Sequence, residues 1–243
     1  MKAICMMILL ALAGSASAET VIEKEKKCDI NGTMGMDVTS QYIWRGQDCG
    51  DLSLQPTLGI DWKGLSLSAW GSVGISNFKD TKEFDLTLAY GIKGFNIGVT
   101  DYWFSDGGNM NGHYLAYKAH NTNHIFEGNV GYEHKYFSIQ WFTNFAGNDG
   151  LTSKGKRAYS SYFEISAPFQ FITCDWDATV GFVPYACDFY GTDGFNVTNV
   201  SLKATKTFNI KQKLDIPVYA NVIVNPCSKH AYFVVGTAFN LNL

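Results

Sequence analysis

The sequence predicts an all-β protein, an up-and-down transmembrane antiparallel β-barrel of about twelve strands. Aromatic residues make up 15% of the 243 residues and charged residues only 17%, with 24 glycines, a composition that favours strands over helices. Apolar and polar side chains alternate along nearly every segment. The connections alternate between short and long, which is expected of an up-and-down barrel and not of a Greek-key sandwich.

Residues 1–18 have the pattern of a secretory signal peptide, with Lys2, an apolar run and a small-residue end at Ala16-Ser17-Ala18. We expect cleavage after Ala18, then a periplasmic N-terminal tail at 19–34 and the barrel at 35–243. No later segment is apolar for long enough to form a membrane helix, which excludes a helical membrane protein. The net charge of -3 argues against a nucleic-acid partner.

The predicted strands are bounded by glycine, asparagine and lysine-glycine turns. They span residues 36–45, 52–62, 65–76, 83–92, 95–104, 125–134, 137–145, 159–167, 175–185, 195–208, 214–224 and 231–243. Short connections such as Lys63-Gly64 and Lys93-Gly94 are expected on the periplasmic side. Longer ones, of which 105–123 is the longest, are expected outside.

The segment from Leu65 to Ser76 illustrates the two faces of a predicted strand. Leu65 and Leu67 alternate with Ser66 and Ser68, so one face meets an apolar phase and the other is polar. A secreted β-sandwich, with the polar face in solvent, is the alternative. Aromatic residues near strand ends favour two membrane-interface girdles. They are Trp44 and Trp103 at the loop ends, and Trp62, Tyr90, Phe95, Tyr132, Trp176 and Phe208 at the turn ends.

The polar faces are predicted to line a pore. Their charged residues are Arg45, Asp61, Asp85, Glu127, Glu133, Glu164, Asp177, Lys203 and Asp215. Because carboxylates outnumber basic groups, we expect a weak preference for cations. Arg45 is placed on the inner face of the first strand if Val38, Tyr42 and Trp44 face lipid. It then needs a carboxylate partner, for which Asp61, Asp85 and Glu164 are candidates, and it serves either a structural ion pair or a solute contact.

The segment Ser40-Gln-Tyr-Ile-Trp-Arg-Gly46 resembles the first-strand signature of the TorF-type porin family of outer-membrane proteins. Ser40, Tyr42, Trp44, Arg45 and Gly46 fill the matching positions. Trp44 stands where Phe is more usual and Gln41 where an acidic residue is common. The resemblance covers the N-terminal third of the chain and implies an outer-membrane barrel with a porin-like role.

Five cysteines follow the signal segment: Cys28, Cys49, Cys174, Cys187 and Cys227. In an oxidising compartment, two disulfides and one free thiol can form, and closure of the barrel favours Cys49 with Cys227, or else Cys187 with Cys227. The cysteines are too scattered for a zinc site, so no metal site is predicted. No cofactor or catalytic residue is predicted either. A membrane hydrolase would need a lipid-facing histidine beside a serine, and none of the five histidines pairs in this way.

These observations predict a porin-like channel in the bacterial outer membrane that passes small solutes. The alternative is a non-conducting barrel that serves as a surface adhesion or binding module. The expected partners are outer-membrane lipid, small solutes and, during insertion, the barrel-assembly machinery.

Overall fold

The computed structural model describes residues 30–77, 79–105, 114–118, 121–152, 154–210 and 214–242. Within them, twelve strands close an antiparallel barrel in which each strand pairs with its neighbours along the chain and the first pairs with the last. The barrel strands are β1 (Ile30–Thr39), β4 (Ser53–Trp62), β5 (Leu65–Gly74), β6 (Glu83–Ile92), β7 (Phe95–Phe104), β8 (His124–His134), β9 (Phe137–Gly147), β10 (Ser161–Phe171), β11 (Cys174–Val183), β12 (Asn196–Ile210), β13 (Leu214–Asn225) and β14 (His230–Asn242). A separate hairpin consists of β2 (Tyr42–Trp44) and β3 (Gln47–Gly50), and the short 3-10 turn η1 is Asp188–Tyr190. The predicted fold class is confirmed.

The tight turns at one end of the barrel form because two consecutive residues in each turn adopt the left-handed backbone conformation. Lys63 and Gly64 have φ angles of 52° and 87°, and Lys93 and Gly94 have 51° and 86°. Two consecutive residues with positive φ make a type I′ turn, whose twist matches that of the flanking strands. These are the short connections that the sequence predicts.

The outer surface of the barrel is apolar. Leu58, Ile60 and Trp62 alternate along β4 and are 57%, 54% and 52% exposed, and Phe95 at the start of β7 is 61% exposed. Water would solvate such a continuous apolar belt poorly, whereas acyl chains solvate it well, so these strands cross a membrane. Trp62, Phe95 and Phe208 form part of an exposed aromatic ring at the turn end, as the girdle prediction requires. Among the described residues, no helix has the length and apolarity needed to cross a membrane.

The start of the barrel differs from the prediction. The first strand spans Ile30–Thr39 instead of 36–45, so it includes residues 30–34 of the predicted tail. The predicted signal peptide and the rest of the tail lie outside the described residues. The second half of the predicted first strand forms the hairpin β2–β3, and Trp44 therefore lies inside the barrel and not in the loop-end girdle.

Candidate functional site

The hairpin β2–β3 crosses the lumen and is the candidate functional site. It leaves the wall between β1 and β4, which pair with each other. At its tip, the Arg45 guanidinium lies over the rings of Phe142 in β9 and Tyr162 in β10. Because β9 and β10 are opposite β1 and β4 in the ring of strands, the side chain of Arg45 reaches the far wall of the barrel.

Two left-handed residues form the tip of the hairpin. Arg45 and Gly46 have φ angles of 50° and 79°, as in the type I′ turns that join the barrel strands. A Cβ atom at Gly46 would overlap the carbonyl oxygen of Thr198 in β12. The side-chain amide of Asn225 in β13 donates a hydrogen bond to the Gly46 carbonyl at 3.0 Å. The tip is therefore held against β12 and β13, and only glycine fits there.

Arg45 forms a bidentate ion pair with Glu127 of β8. Its Nη1 lies 2.6 Å from Oε2 and its Nη2 2.9 Å from Oε1. Nη1 also donates to the Tyr190 hydroxyl of η1 at 2.6 Å, and Tyr102 donates to Glu127 at 2.8 Å. Burial opposes the charge of the guanidinium, but the Glu127 carboxylate outweighs it and raises the pKa of Arg45 well above its usual value. The cation at the hairpin tip is therefore permanent.

Aromatic rings surround this ion pair. The Arg45 guanidinium carbon lies 4.3 Å from the ring centroid of Trp44, 4.0 Å from that of Phe142 and 4.7 Å from that of Tyr162. A desolvated cation–π contact contributes up to about 2 kcal/mol. The buried residues of this cluster are Tyr162, Val183, Cys187 and Tyr190, with Trp44, Phe142 and Phe189 packed against them. The barrel thus has an apolar core inside its lumen, built around a charge.

Ser40 and Tyr42 hold the base of the hairpin. The Ser40 amide donates to the Val235 carbonyl of β14 at 2.8 Å, and the Val235 amide donates to the Ser40 hydroxyl at 3.0 Å. The Tyr42 ring packs against Trp70 of β5 with 5.5 Å between centroids. Every position that carries the family resemblance therefore has a contact that keeps the hairpin in the lumen.

Cavities lie beside the hairpin. The larger, of about 480 Å³, is lined by residues of the hairpin and of β6–β8, including Tyr42, Trp44 and Glu83. A smaller one, of about 180 Å³, is lined by the other side of the hairpin, including Gln41, and by Lys203 of β12. The hairpin thus separates a cavity lined by Glu83 from one lined by Lys203.

Among the described residues, inward positions on β5 and β6 are buried near the loop end and more exposed near the turn end. Along β5, the inward-facing Ser72 is 3% exposed near the loops, whereas Ser66 near the turn is partly exposed. Along β6, Asp85 is 8% exposed, whereas Gly91 near the turn is exposed. Within the described part of the chain, the lumen is therefore more accessible to solvent near the turns than beside the hairpin.

Strand alternation places the predicted pore-lining residues on inward positions, apart from Arg45, which the hairpin carries into the lumen. Only Arg45 and Glu127 meet as an ion pair among them. The others make local contacts with polar or aromatic neighbours: Glu164 with Tyr162, Asp177 with Thr179, Lys203 with Tyr219, Asp215 with Asn209, and Glu133 with Asn96 and Gln140. Asp61 faces inward opposite Ser66.

The predicted partners of Arg45 were wrong. Asp61, Asp85 and Glu164 were inferred for an arginine on the first strand, but the hairpin carries Arg45 across the lumen to Glu127. Tyr42 and Trp44, expected to face lipid, lie in the lumen for the same reason. The inward tyrosines, Tyr102 and Tyr162, were missed as well, although strand alternation assigns both to the inner face.

The described cysteines, Cys49, Cys174, Cys187 and Cys227, carry free thiols, so neither predicted disulfide forms in this structure. The inserted hairpin explains this finding. It carries Cys49 into the larger cavity, whereas Cys227 lines a different one at the barrel mouth. Cys187 is 2% exposed within the aromatic core.

His124 lies on the outer wall, where the sequence had placed it only beside the long connection. Its Nδ1 is 2.7 Å from the Asp101 carboxylate, and its Nε2 is 2.6 Å from the Tyr114 carbonyl. Tyr114 belongs to the connection 105–123 and packs on Trp103 of the outer wall, with 5.6 Å between ring centroids. Residues 114–118 of that connection therefore lie on the outer wall, whereas its two ends, Ser105 and Asn123, line the larger cavity. With both ring nitrogens engaged, His124 has none left to activate a serine.

Comparisons with known proteins concern architecture alone. No protein-family model matches the chain, and no curated protein matches it. Among solved structures, the KdgM porin is 10% identical with a TM-score of 0.44, covering 85% of this chain and 98% of its own. An outer membrane channel from Pseudomonas putida F1 is 12% identical with a TM-score of 0.43, covering 93% and 100%. At this level of similarity neither protein's activity transfers to this chain, and the TorF-type resemblance stays a prediction.

Proposed function

We propose that this chain is a porin-like channel of the bacterial outer membrane, with the hairpin β2–β3 as its constriction. The observation that carries the proposal is the lumen itself, whose described inward positions are more exposed towards the turns and which is narrowed by one hairpin fixed at its tip by Arg45 and Glu127. A constriction held by a single buried ion pair admits a narrow passage or opens when that pair breaks. Secretion by the signal segment and insertion by the barrel-assembly machinery belong to the same proposal.

The solutes of this channel are small, and cations are weakly preferred. Inward carboxylates include Asp61, Asp177 and Asp215, whereas the inward basic groups of the described strands and hairpin are Arg45 and Lys203. Arg45 is neutralised by Glu127. The remaining carboxylates act across a narrow lumen with low-dielectric walls, which focus the field and concentrate cations.

Planar-bilayer recordings in a KCl gradient test both statements. We expect a small conductance for the natural protein with a reversal potential of cationic sign, and a several-fold larger conductance for Arg45→Ala, because the hairpin tip loses its anchor. Arg157→Ala is the matched control, since Arg157 donates to the Gly147 carbonyl outside the hairpin. An anionic reversal potential would contradict the cation preference. Equal conductance of the natural protein and Arg45→Ala would contradict the role of the hairpin.

The packed loop end favours one second candidate, a non-conducting barrel that displays its loops as an adhesion or binding module. Ser72, Glu83 and Asp85 are all less than a tenth exposed, so a sealed lumen is compatible with the packing. Liposome swelling separates the two functions. Solute uptake supports the channel, whereas sealed liposomes with both the natural protein and Arg45→Ala support the binding module.

A further inference from the structure

We propose that the larger cavity beside the hairpin binds a small organic cation with an alkylammonium group. This inference rests on the proposed function, because the lumen supplies the route to the cavity. The cavity holds about 480 Å³, within the range of about 300–1,000 Å³ typical of small-molecule sites. It is formed where the hairpin, β6–β8 and η1 meet, next to the constriction.

Two buried carboxyl groups in this region can supply a countercharge to a bound cation. Glu83 lines the cavity and is 7% exposed, and Asp85 follows two residues later on the same inward face and is 8% exposed. Within the described residues, neither carboxylate pairs with a basic side chain, and Asp85 Oδ1 is buried without a hydrogen-bond partner. Arg45 is occupied by Glu127. Since a buried carboxylate without a countercharge is costly, a cation in the cavity lowers the energy of the site.

Aromatic rings select the kind of cation. Four rings line the cavity and are partly exposed: Tyr42, Trp44, Phe104 and Phe189. Ring faces attract cations, and aromatic sites of this kind recognise alkylammonium groups. A metal ion instead needs several converging oxygen, nitrogen or sulfur ligands. Among the described residues, no group of three or more His, Cys, Asp or Glu side chains is placed to hold one. The site therefore favours an organic cation over a metal ion.

Choline and its neutral isostere 3,3-dimethylbutan-1-ol provide the test, because they share a shape and differ in charge. Isothermal titration calorimetry on the folded barrel in detergent should show choline binding, with the isostere at least about tenfold weaker. Glu83→Gln should weaken choline binding by about tenfold or more. Glu133→Gln removes an inward carboxylate at the turn end and should leave choline binding unchanged. Heat-modifiable migration of each variant shows that its barrel is folded.

The proposed site is wrong if choline and the isostere bind equally, if neither binds, or if Glu83→Gln binds choline like the natural protein. Preferential binding of a neutral sugar such as maltose would also overturn it. Bilayer recordings on the same preparations separate this inference from the channel. Conductance without choline binding contradicts the cation site alone, whereas choline binding to a protein that never conducts contradicts the channel alone.

Discussion

At the scale of single residues, the guanidinium of Arg45 is suited to its position in a way that lysine is not. Its planar fork meets both oxygens of Glu127, and its faces stack among three rings. Lysine would keep the charge but could neither bind the carboxylate with two parallel hydrogen bonds nor stack in this way. The ion pair therefore fixes the direction of the hairpin as well as its distance from the far wall.

The reactivity of the Cys49 thiol in β3 depends on the position of the hairpin. Burial, followed by the nearby Glu83 carboxylate, raises the pKa of its thiol to about 12. A raised pKa keeps the thiol protonated at pH 8 and lowers the thiolate fraction by roughly a thousandfold relative to a free cysteine. In a variant whose other cysteines are alanine, we expect maleimide to modify Cys49 at pH 8 far more slowly than it modifies the same cysteine in the unfolded chain.

Arg45→Ala in the same background should restore ordinary reactivity to Cys49 at pH 8, because release of the tip moves the thiol away from the buried carboxylates. Arg157→Ala again serves as the control. Rapid modification of Cys49 with Arg45 in place would show that the hairpin is not held in the lumen in solution.

The sequence predicts the role of a single residue only where that role depends on a local pattern such as strand alternation. Alternation assigned Glu127 and the other carboxylates to the inner face, and charge balance required a partner for Arg45. The identity of that partner depends on a contact over 82 residues, made by a hairpin that crosses the barrel. Such a contact leaves no periodic signal in the sequence.

At the scale of elements, the sequence predicted most strands because the turns that bound them have characteristic local sequences. Lys63-Gly64 and Lys93-Gly94 adopt paired positive φ angles, and each ends a strand where the pattern predicts. Arg45-Gly46 has the same sequence of a basic residue and a glycine and forms the same turn. This signal could have revealed the hairpin, but the alternation of Val38, Tyr42 and Trp44 continues the apolar face of β1 and conceals the break.

The described part of the connection 105–123 is joined to the outer wall by the buried His124. The Tyr114 carbonyl can only accept, so Nε2 donates to it, and the other ring nitrogen, Nδ1, lies 2.7 Å from the Asp101 carboxyl group. His124 is fully buried and stacks with Tyr117 at 4.2 Å between centroids. Two hydrogen bonds and a stacked ring therefore hold residues 114–118 on the wall.

Asp101→Asn should loosen this connection, because the neutral amide is a weaker hydrogen-bond partner for His124 than the carboxyl group. Weakening a buried hydrogen bond costs about 1–3 kcal/mol, which a local opening can accommodate without unfolding the barrel. We expect faster proteolysis within residues 105–123 while heat-modifiable migration is retained. Asp215→Asn, at an exposed inward position near a turn, is the control. Unchanged proteolysis in Asp101→Asn would show that Asp101 does not hold the connection.

At the scale of the whole molecule, the barrel places its apolar surface outside and a second, smaller core inside. The outer belt of alternating leucine, isoleucine and aromatic residues requires lipid or detergent, whereas the core around Tyr162 and Tyr190 requires the hairpin. The wall and the lumen are therefore stabilised separately. A released hairpin leaves the wall intact, since the closed ladder from β1 to β14 does not involve β2 or β3.

Three single cysteines on β5 distinguish the open turn end, the packed loop end and the lipid face. Ser66→Cys faces a lumen that solvent reaches, Ser72→Cys faces the packed region where the natural side chain is 3% exposed, and Leu67→Cys faces the membrane, where the natural side chain is 47% exposed. A charged methanethiosulfonate reagent reacts in water and not in hydrocarbon. With the natural cysteines removed and the protein in liposomes, we expect rapid labelling of Ser66→Cys alone. Adding Arg45→Ala should make Ser72→Cys reactive and leave Leu67→Cys protected. Labelling of Leu67→Cys at the rate of Ser66→Cys would mean that the apolar face meets water, which would contradict the transmembrane assignment.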